Sequence, residues 1–509
     1  MALARAGAAG VALAALPAPA AAHALGQTFQ LPVPLWLYLA GAAIAVAASF
    51  VVTAVVARGA PNEPDYPVRP VPAGPARAAS VTLSVVGLAW WYGAIVAGFT
   101  VGSASLLPAV LFWIGIWVAL PIITITLGNP WPSLSPFRST FTVAEWLARR
   151  AGLADLDVGL TYPPGLGRWP AVALLGVAAW AELILSGGDT PATVATLLTG
   201  YTLLTLVGMT LFGRVAWLRN AELFEVYLGW FGRVGPLGRR SVRRELCGEC
   251  AEGCDPDRCV DCPECAAAAE SGERRAELRP WFTGLTEVRR AGWSDAALIV
   301  LALAIVSYDG LRETAAWAVP LRLLVDMAIS IFGPTGTAFF VVDTSGLVLV
   351  AIAFGLAFVA GVTLARALGG PGAPPLTGAI GTYAATLLPI AGGYLLAHYL
   401  TLVIQGALWL PRLLGDLQLA DPTTLVAPTL DWIPISAVWY LSVGAIVVGH
   451  VVAIVLAHRI ALRDAPRRPV VAGLPLVAIM VGYTVLSLWI IAQPIVIDPG
   501  VPPAALPGP

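Results

Sequence analysis

Lysine is absent from this chain: all 29 basic residues are arginine. That excludes a Schiff-base lysine and a phosphate-binding loop built on one. Charge of either sign is scarce, at 12% of residues against 58% hydrophobic, far from the balance of a soluble domain. Histidine occurs only four times, and no G-x-S-x-G nucleophile elbow is present. Cysteine is missing everywhere except in one short stretch that holds all six. The short alternating segments of a membrane strand barrel are missing too.

Long apolar runs fill the chain instead. A helix needs about 20 apolar residues to cross a hydrocarbon core of roughly 30 Å. The sequence predicts ten spans, near 34–57, 81–102, 105–127, 169–187, 191–213, 294–309, 344–367, 378–404, 435–459 and 470–495. The spans at 169–187 and 294–309 are the shortest. The expected fold is therefore all-α, a polytopic membrane bundle of about ten transmembrane helices with a small cysteine-rich cytoplasmic loop. Leu321–Val342 is also apolar, but Gly333-Pro334-Thr335-Gly336 interrupts it and it carries Asp326. It reads as a surface-lying or re-entrant pair of half-helices.

Residues 1–24 read as a secretory signal. Arg5 supplies the positive start, Ala6–Leu16 an apolar stretch too short to span, and Ala20–Ala24 a small-residue cleavage site. Arginines cluster after the odd-numbered spans: Arg58, Arg69 and Arg77, then Arg138 to Arg168, then thirteen from Arg214 to Arg290, then Arg366, then Arg459 to Arg468. The alternate loops hold only Arg312, Arg322 and Arg412. The positive-inside rule puts the odd-numbered loops in the cytoplasm of a cell-membrane protein and both mature termini outside. Residues 25–213 then carry the first five helices and 294–509 the last five.

Residues 129–168 and 214–293 are expected to stand outside the bundle. The second stretch balances 13 arginines with 13 acids, so no nucleic-acid partner is expected. Its run from Arg233 to Arg244 has five arginines and no acid. It could meet anionic headgroups at about 1 kcal/mol per charge, or be solvated or self-paired.

The cysteines are Cys247, Cys250, Cys254, Cys259, Cys262 and Cys265. Disulfides are disfavoured in a reducing cytoplasm. Thiolates two residues apart can point at one soft cation, because a tight turn brings both sulfurs within bonding reach. Four sulfurs would satisfy tetrahedral zinc and leave two spare. Cys259, Cys262 and Cys265 also resemble part of an iron–sulfur ligand set, without its usual fourth cysteine shortly afterwards. Zinc, an iron–sulfur cluster and no constitutive metal all stay open.

Ionisable side chains at bilayer depth are costly and usually face a cavity or a partner. At about 1.5 Å per residue, Glu182 sits roughly 7 Å below the external end of its span and His398, beside Tyr399, about 9 Å below that of its own. Tyr308 and Asp309 close the external end of the sixth span, with Arg312 and Glu313 next. Glu182, Asp309 and His398 thus share a depth band and could line one externally open pocket. Each also has a purely structural reading: a helix-end acid, a helix terminator before Gly310 and an interhelical hydrogen bond. His450 lies roughly 22 Å below the outer face and is not expected in the same shell; His458 belongs at the cytoplasmic boundary. His23, if made N-terminal by cleavage, would offer two nitrogens to copper.

Several stretches resemble a family of integral membrane proteins that goes by the name fenitrothion hydrolase. They are Ala22-His23, Leu31 to Trp36, Gly128 to Trp131, Tyr162-Pro163, Gly165 to Ala171, Trp180-Ala181-Glu182, Leu211-Phe212-Gly213, Glu222 to Gly229, Ser307 to Gly310 and Ala397-His398-Tyr399. The cysteine-bearing stretch departs from that pattern. The resemblance implies hydrolysis of an organophosphorus ester at the external pocket. Glu182 and Asp309 would then hold metal or act as general base, and His398 would be a ligand or proton carrier. The same pocket in a permease would bind a metal ion or small hydrophobic solute. A third reading is a non-catalytic membrane subunit that docks a partner through its cysteine loop.

Overall fold

The computed structural model describes residues 29–57, 67, 69–153, 156–241, 274–286, 291–417, 429–493 and 496–497. Strand β1 (Phe29–Gln30) leads into α1 (Leu35–Val56); β2 (Arg69–Pro70) precedes α2 (Ala73–Thr100). Helix α3 (Leu107–Thr126) has a π-helical centre at Val110–Ala119. Then come α4 (Trp131–Leu134), α5 (Pro136–Arg150), α6 (Trp169–Leu183), α7 (Pro191–Phe212), α8 (Arg214–Asn220) and α9 (Leu223–Gly232). The hairpin strands β3 (Leu237–Ser241) and β4 (Arg274–Leu278) follow. The second half holds α10 (Trp293–Arg312), α11 (Ala318–Phe332), α12 (Gly336–Gly369), α13 (Leu376–Ala384), α14 (Leu388–Gly415), α15 (Ile435–Asp464), α16 (Pro469–Ala492) and β5 (Val496–Ile497).

Among the described residues, ten helices are long and apolar enough to cross a membrane. The chain is a multi-pass membrane protein built as an all-α bundle. Those ten include 315–332 and leave out the shorter α6, the reverse of the sequence reading, and contacts at the helix ends decide which of the two crosses. Helix α6 carries Arg168 at its start, paired with Asp295 at the start of α10, and Leu183 at its other end, whose carbonyl accepts from Arg312 at the end of α10. It runs the full length of its neighbour. Helix α11 instead starts with Trp317 against Tyr308, and its Ala328 packs on Ala338 and Val342 in the first turns of α12. Gly333, at φ 71°, makes the turn between them. The pair of half-helices expected there is a hairpin at one end of the bundle.

Strand pairing sorts the other connections by end. β2, after the first span, pairs antiparallel with β4, before α10. Trp281 donates to the Thr126 carbonyl at 3.1 Å, and His458 to that of Ala57 at 3.3 Å. The arginine-rich connections thus gather at one end. At the opposite end β1 pairs parallel with β5, and Gly102 N–H donates to Leu417 at 3.1 Å.

The stretches 129–168 and 214–293 do not stand wholly outside the bundle. After Gly213 (φ 81°) the chain doubles back: Trp217 of α8 lies on α7 where a Cβ at Gly208 would fall 2.2 Å from its ring. The Leu223 N–H then reaches the Tyr201 hydroxyl at 3.0 Å, about halfway along α7. Every residue of α9 is buried. Helix α4 re-enters in the same way, so close to α2 that a Cβ on Gly87 would overlap the Leu134 carbonyl oxygen. The rings of Phe112, Trp131, Phe137, Tyr201 and Phe224 surround Trp91, with centroids 4.9–6.4 Å away. The physical reason is composition: 223–232 is apolar apart from Glu225, and burial of its aromatics outweighs the cost of one acid that finds an arginine.

Candidate functional site

Helix α10 ends at the arginine-poor end of the bundle, and its last turn carries Asp309. One carboxylate oxygen, Oδ2, accepts from the Tyr399 hydroxyl at 2.7 Å and lies 3.1 Å from His398 Nε2. The other, Oδ1, is 3.4 Å from the Arg312 guanidinium one turn on. Successive residues on a helix point about 100° apart. His398 and Tyr399 reach the same oxygen because Asp309 sits in the angle between them, with the two rings edge-on at 4.5 Å. Asp309 and His398 are both buried. A buried carboxylate persists only where donors replace its water, and three side chains do so here.

Glu182 reaches the same neighbourhood from α6. Its Oε2 accepts the indole N–H of Trp117, and the residue after it, Leu183, is held by Arg312 at 2.7 Å. Trp113, one turn before Trp117 in the π-helical stretch, donates to the Gly188 carbonyl at 3.1 Å. That bond holds the connection after α6 more than a turn below the start of α3. The shortest span, α6, thus ends below the start of α3, and the site lies where it meets the end of α10. π-helical turns are rare and often mark functional positions. Glu313 follows Arg312; burial and the charge of Asp309 push its carboxyl above the ordinary carboxylate range.

Glu182, Asp309 and His398, which share a depth in the sequence, thus lie in one neighbourhood. Among the described residues no three His, Cys, Asp or Glu side chains converge to hold a metal ion, so they are neighbours without forming a ligand set. His450 does not touch this group: its Nδ1 donates to the Ile446 carbonyl at 2.8 Å. Cys247, Cys250, Cys254, Cys259, Cys262 and Cys265 lie outside the described residues, as do His23 and the signal-like segment 1–24. The strands β3 and β4 that bracket the cysteines form an antiparallel hairpin.

Residues with no expected role form a second buried polar group. Glu222 caps α9, accepting from Phe224 and Glu225 N–H, and takes further bonds from the Trp131 indole at 3.0 Å and from the Tyr201 hydroxyl. Glu225 pairs with Arg138 at 2.8 Å. The signal for it was legible: an acid at each of positions 222 and 225 opens an apolar run too short to span. Arg233, the first of the basic run, is buried with its guanidinium 4.7 Å over the Trp230 ring. It is withdrawn from any lipid headgroup.

No protein-family model, curated protein or solved structure matches this chain.

Proposed function

We propose that this chain is a permease for a small cation, with Asp309 as the central binding carboxylate. The observation that carries the reading is the pairing of Asp309: among the described residues its Oδ1 faces the Arg312 guanidinium at 3.4 Å, and Arg312 also reaches the Leu183 carbonyl beside Glu182. Arg312 occupies the position of a tethered counter-cation, which an incoming cation would displace. Re-entrant helices such as α4 and α9 occur in bundles where irregular backbone is enclosed by protein. The asymmetry of arginine between loops supports a cell-membrane location with the Asp309 end of the bundle outside and β3–β4 in the cytoplasm. The bilayer is then the main partner.

Purified protein in liposomes that contain a zinc-sensitive dye should admit Zn²⁺ faster than empty liposomes, and Asp309→Asn should abolish the difference. Equal rates for wild type and empty liposomes would reject this reading for zinc. Running the same measurement with an organic ammonium ion extends it to non-metal cations.

The Asp309–His398 pair favours a second reading. A carboxylate that orients an imidazole is the arrangement of a general base, which fits the resemblance to fenitrothion hydrolases. Release of a nitrophenol from fenitrothion by the purified protein, lost in His398→Gln, would establish hydrolysis. A third reading, docking of a partner subunit through the cysteine segment, rests on sequence alone; co-purification that is lost on Cys→Ser substitution is its test.

A further inference from the structure

Beneath Asp309 the centre of the bundle holds polar side chains that the site itself does not use. Tyr394 precedes His398 by one helical turn on α14, and its ring stacks on the imidazole at 5.8 Å and 18°. Gly310 makes room for this. A Cβ there would come within 2.8 Å of the Tyr394 hydroxyl and 3.4 Å of His398 Cε1. The Tyr394 hydroxyl is buried with no hydrogen-bond partner among the described residues.

Ser307, on α10, donates its one hydroxyl proton to the Leu303 carbonyl at 2.6 Å. Its contact with the Tyr483 hydroxyl therefore has Tyr483 as donor. The Tyr483 ring, on α16, lies 6.0 Å from the ring of His450 on α15. Because a carbonyl only accepts, the bond from His450 Nδ1 to Ile446 fixes the ring proton on Nδ1. Nε2 is left as a bare lone pair. This atom too is buried without a partner among the described residues. An unmatched imidazole nitrogen thus lies beside Tyr483, and an unmatched hydroxyl lies against Gly310, one turn of α10 from the Ser307 that Tyr483 reaches.

Past His450 the polar line meets a helix break. A Cβ on Gly449 would lie 2.4 Å from the Pro389 carbonyl oxygen, and the 3-10 turn Ala385–Leu387 stands just before that proline. Thr386 in this turn is buried and donates to Tyr383 at 2.7 Å.

We propose that Asp309, His398, Tyr394, Tyr483 and His450 form a proton path through the centre of the bundle, bridged by water. A hydroxyl passes a proton by accepting one and releasing its own, so Tyr394 and Tyr483 end each transfer unchanged. His450 takes the proton on Nε2 while keeping Nδ1–H, then releases it from Nε2 to water toward the arginine-rich end and is neutral again. No other bond is made or broken. The path deepens the permease reading and rests on it only for its use; proton conduction along it does not wait for the cation. Charged or titratable groups that face the path are Arg312 and Glu313 at its mouth and Glu182 beside it.

The test uses wild-type protein in liposomes containing a pH-sensitive dye, with potassium and valinomycin to clamp the potential. After an external acid step, wild type should acidify the interior faster than empty liposomes. Tyr483→Phe, which removes one hydroxyl and keeps the ring, should slow this at least tenfold, as should His450→Leu. Tyr38→Phe at the rim should leave it unchanged. Gel filtration and thermal unfolding check that the variants are folded; if His450→Leu is not, Tyr483→Phe decides alone. Variants that conduct like wild type overturn the path, as does wild type no faster than empty liposomes. Zn²⁺ uptake on the same vesicles separates the two proposals. Uptake without proton movement overturns the path and leaves the permease, whereas proton movement without uptake of any tested cation upholds the path and removes the permease.

Discussion

His398 Nε2 and Asp309 Oδ2 stand 3.1 Å apart although the residues are 89 positions apart in sequence. The contact joins α10 to α14 inside the bundle, and both residues are buried. Removing one member of a buried pair leaves the other charge or lone pair unmatched, at about 3–5 kcal/mol. Asp309→Ala should therefore lower the thermal midpoint of the detergent-solubilised protein strongly. Asp309→Asn, which still accepts from Tyr399, should lower it less. Equal midpoints for Asp309→Ala and wild type would remove the pair from the core of the argument.

The re-entrant helices make a steric prediction. Gly87→Val places carbon on the Leu134 carbonyl, which is backbone and cannot rotate away. Overpacking of this kind costs about 1–3 kcal/mol or more. The variant should expose 129–153 to limited proteolysis from the arginine-rich side, whereas Gly41→Val, with open space around it, should not.

Glu313 makes a pH prediction. Its carboxyl is raised because burial and the nearby Asp309 charge both disfavour the anion. The folded state thus binds the proton more tightly than the unfolded chain does. The resulting stability is complete below the unfolded carboxylate value and is lost as pH rises through the higher folded value. Thermal midpoints taken from about pH 4 to pH 8 should fall more steeply in wild type than in Glu313→Gln. Parallel profiles would show that Glu313 does not contribute.

The cysteine segment makes a compositional prediction. Protein purified in reducing buffer should carry about one zinc ion, since four thiolates satisfy one tetrahedral site. Replacing Cys247, Cys250 and Cys254 with Ser leaves three thiolates and should release it. Less than about half an equivalent of zinc or iron in the wild type would count against any metal at these thiolates.

Much of the architecture was legible because bilayer thickness imposes a length on every crossing helix. Hydropathy alone located the spans to within a few residues at most ends, and arginine counts sorted the connections into the two groups that share an end. Depth along helices was enough to bring Glu182, Asp309 and His398 together. It could not supply rotation about each helix axis, so Trp117 as the partner of Glu182 went unseen. Apolar runs too short to span were misread for a different reason. Sequence 223–232 has the composition of a buried segment but not the length of a crossing one, and only contact with Trp91, Tyr201 and Arg138 shows where it goes. Helix α11 is the converse, long enough to cross yet held at one end by its hairpin with α12.

The pairing of β2 with β4 has a consequence for biosynthesis. Arg69 is made before the second span, whereas its partner Leu278 emerges only after the fifth span and the cysteines have been translated. The sheet therefore closes late, after half the helices have entered the bilayer, and until then Arg69 and Pro70 wait without a neighbour. During that interval the hairpin β3–β4 is open along the edge of β4 that the strand from the first loop later covers.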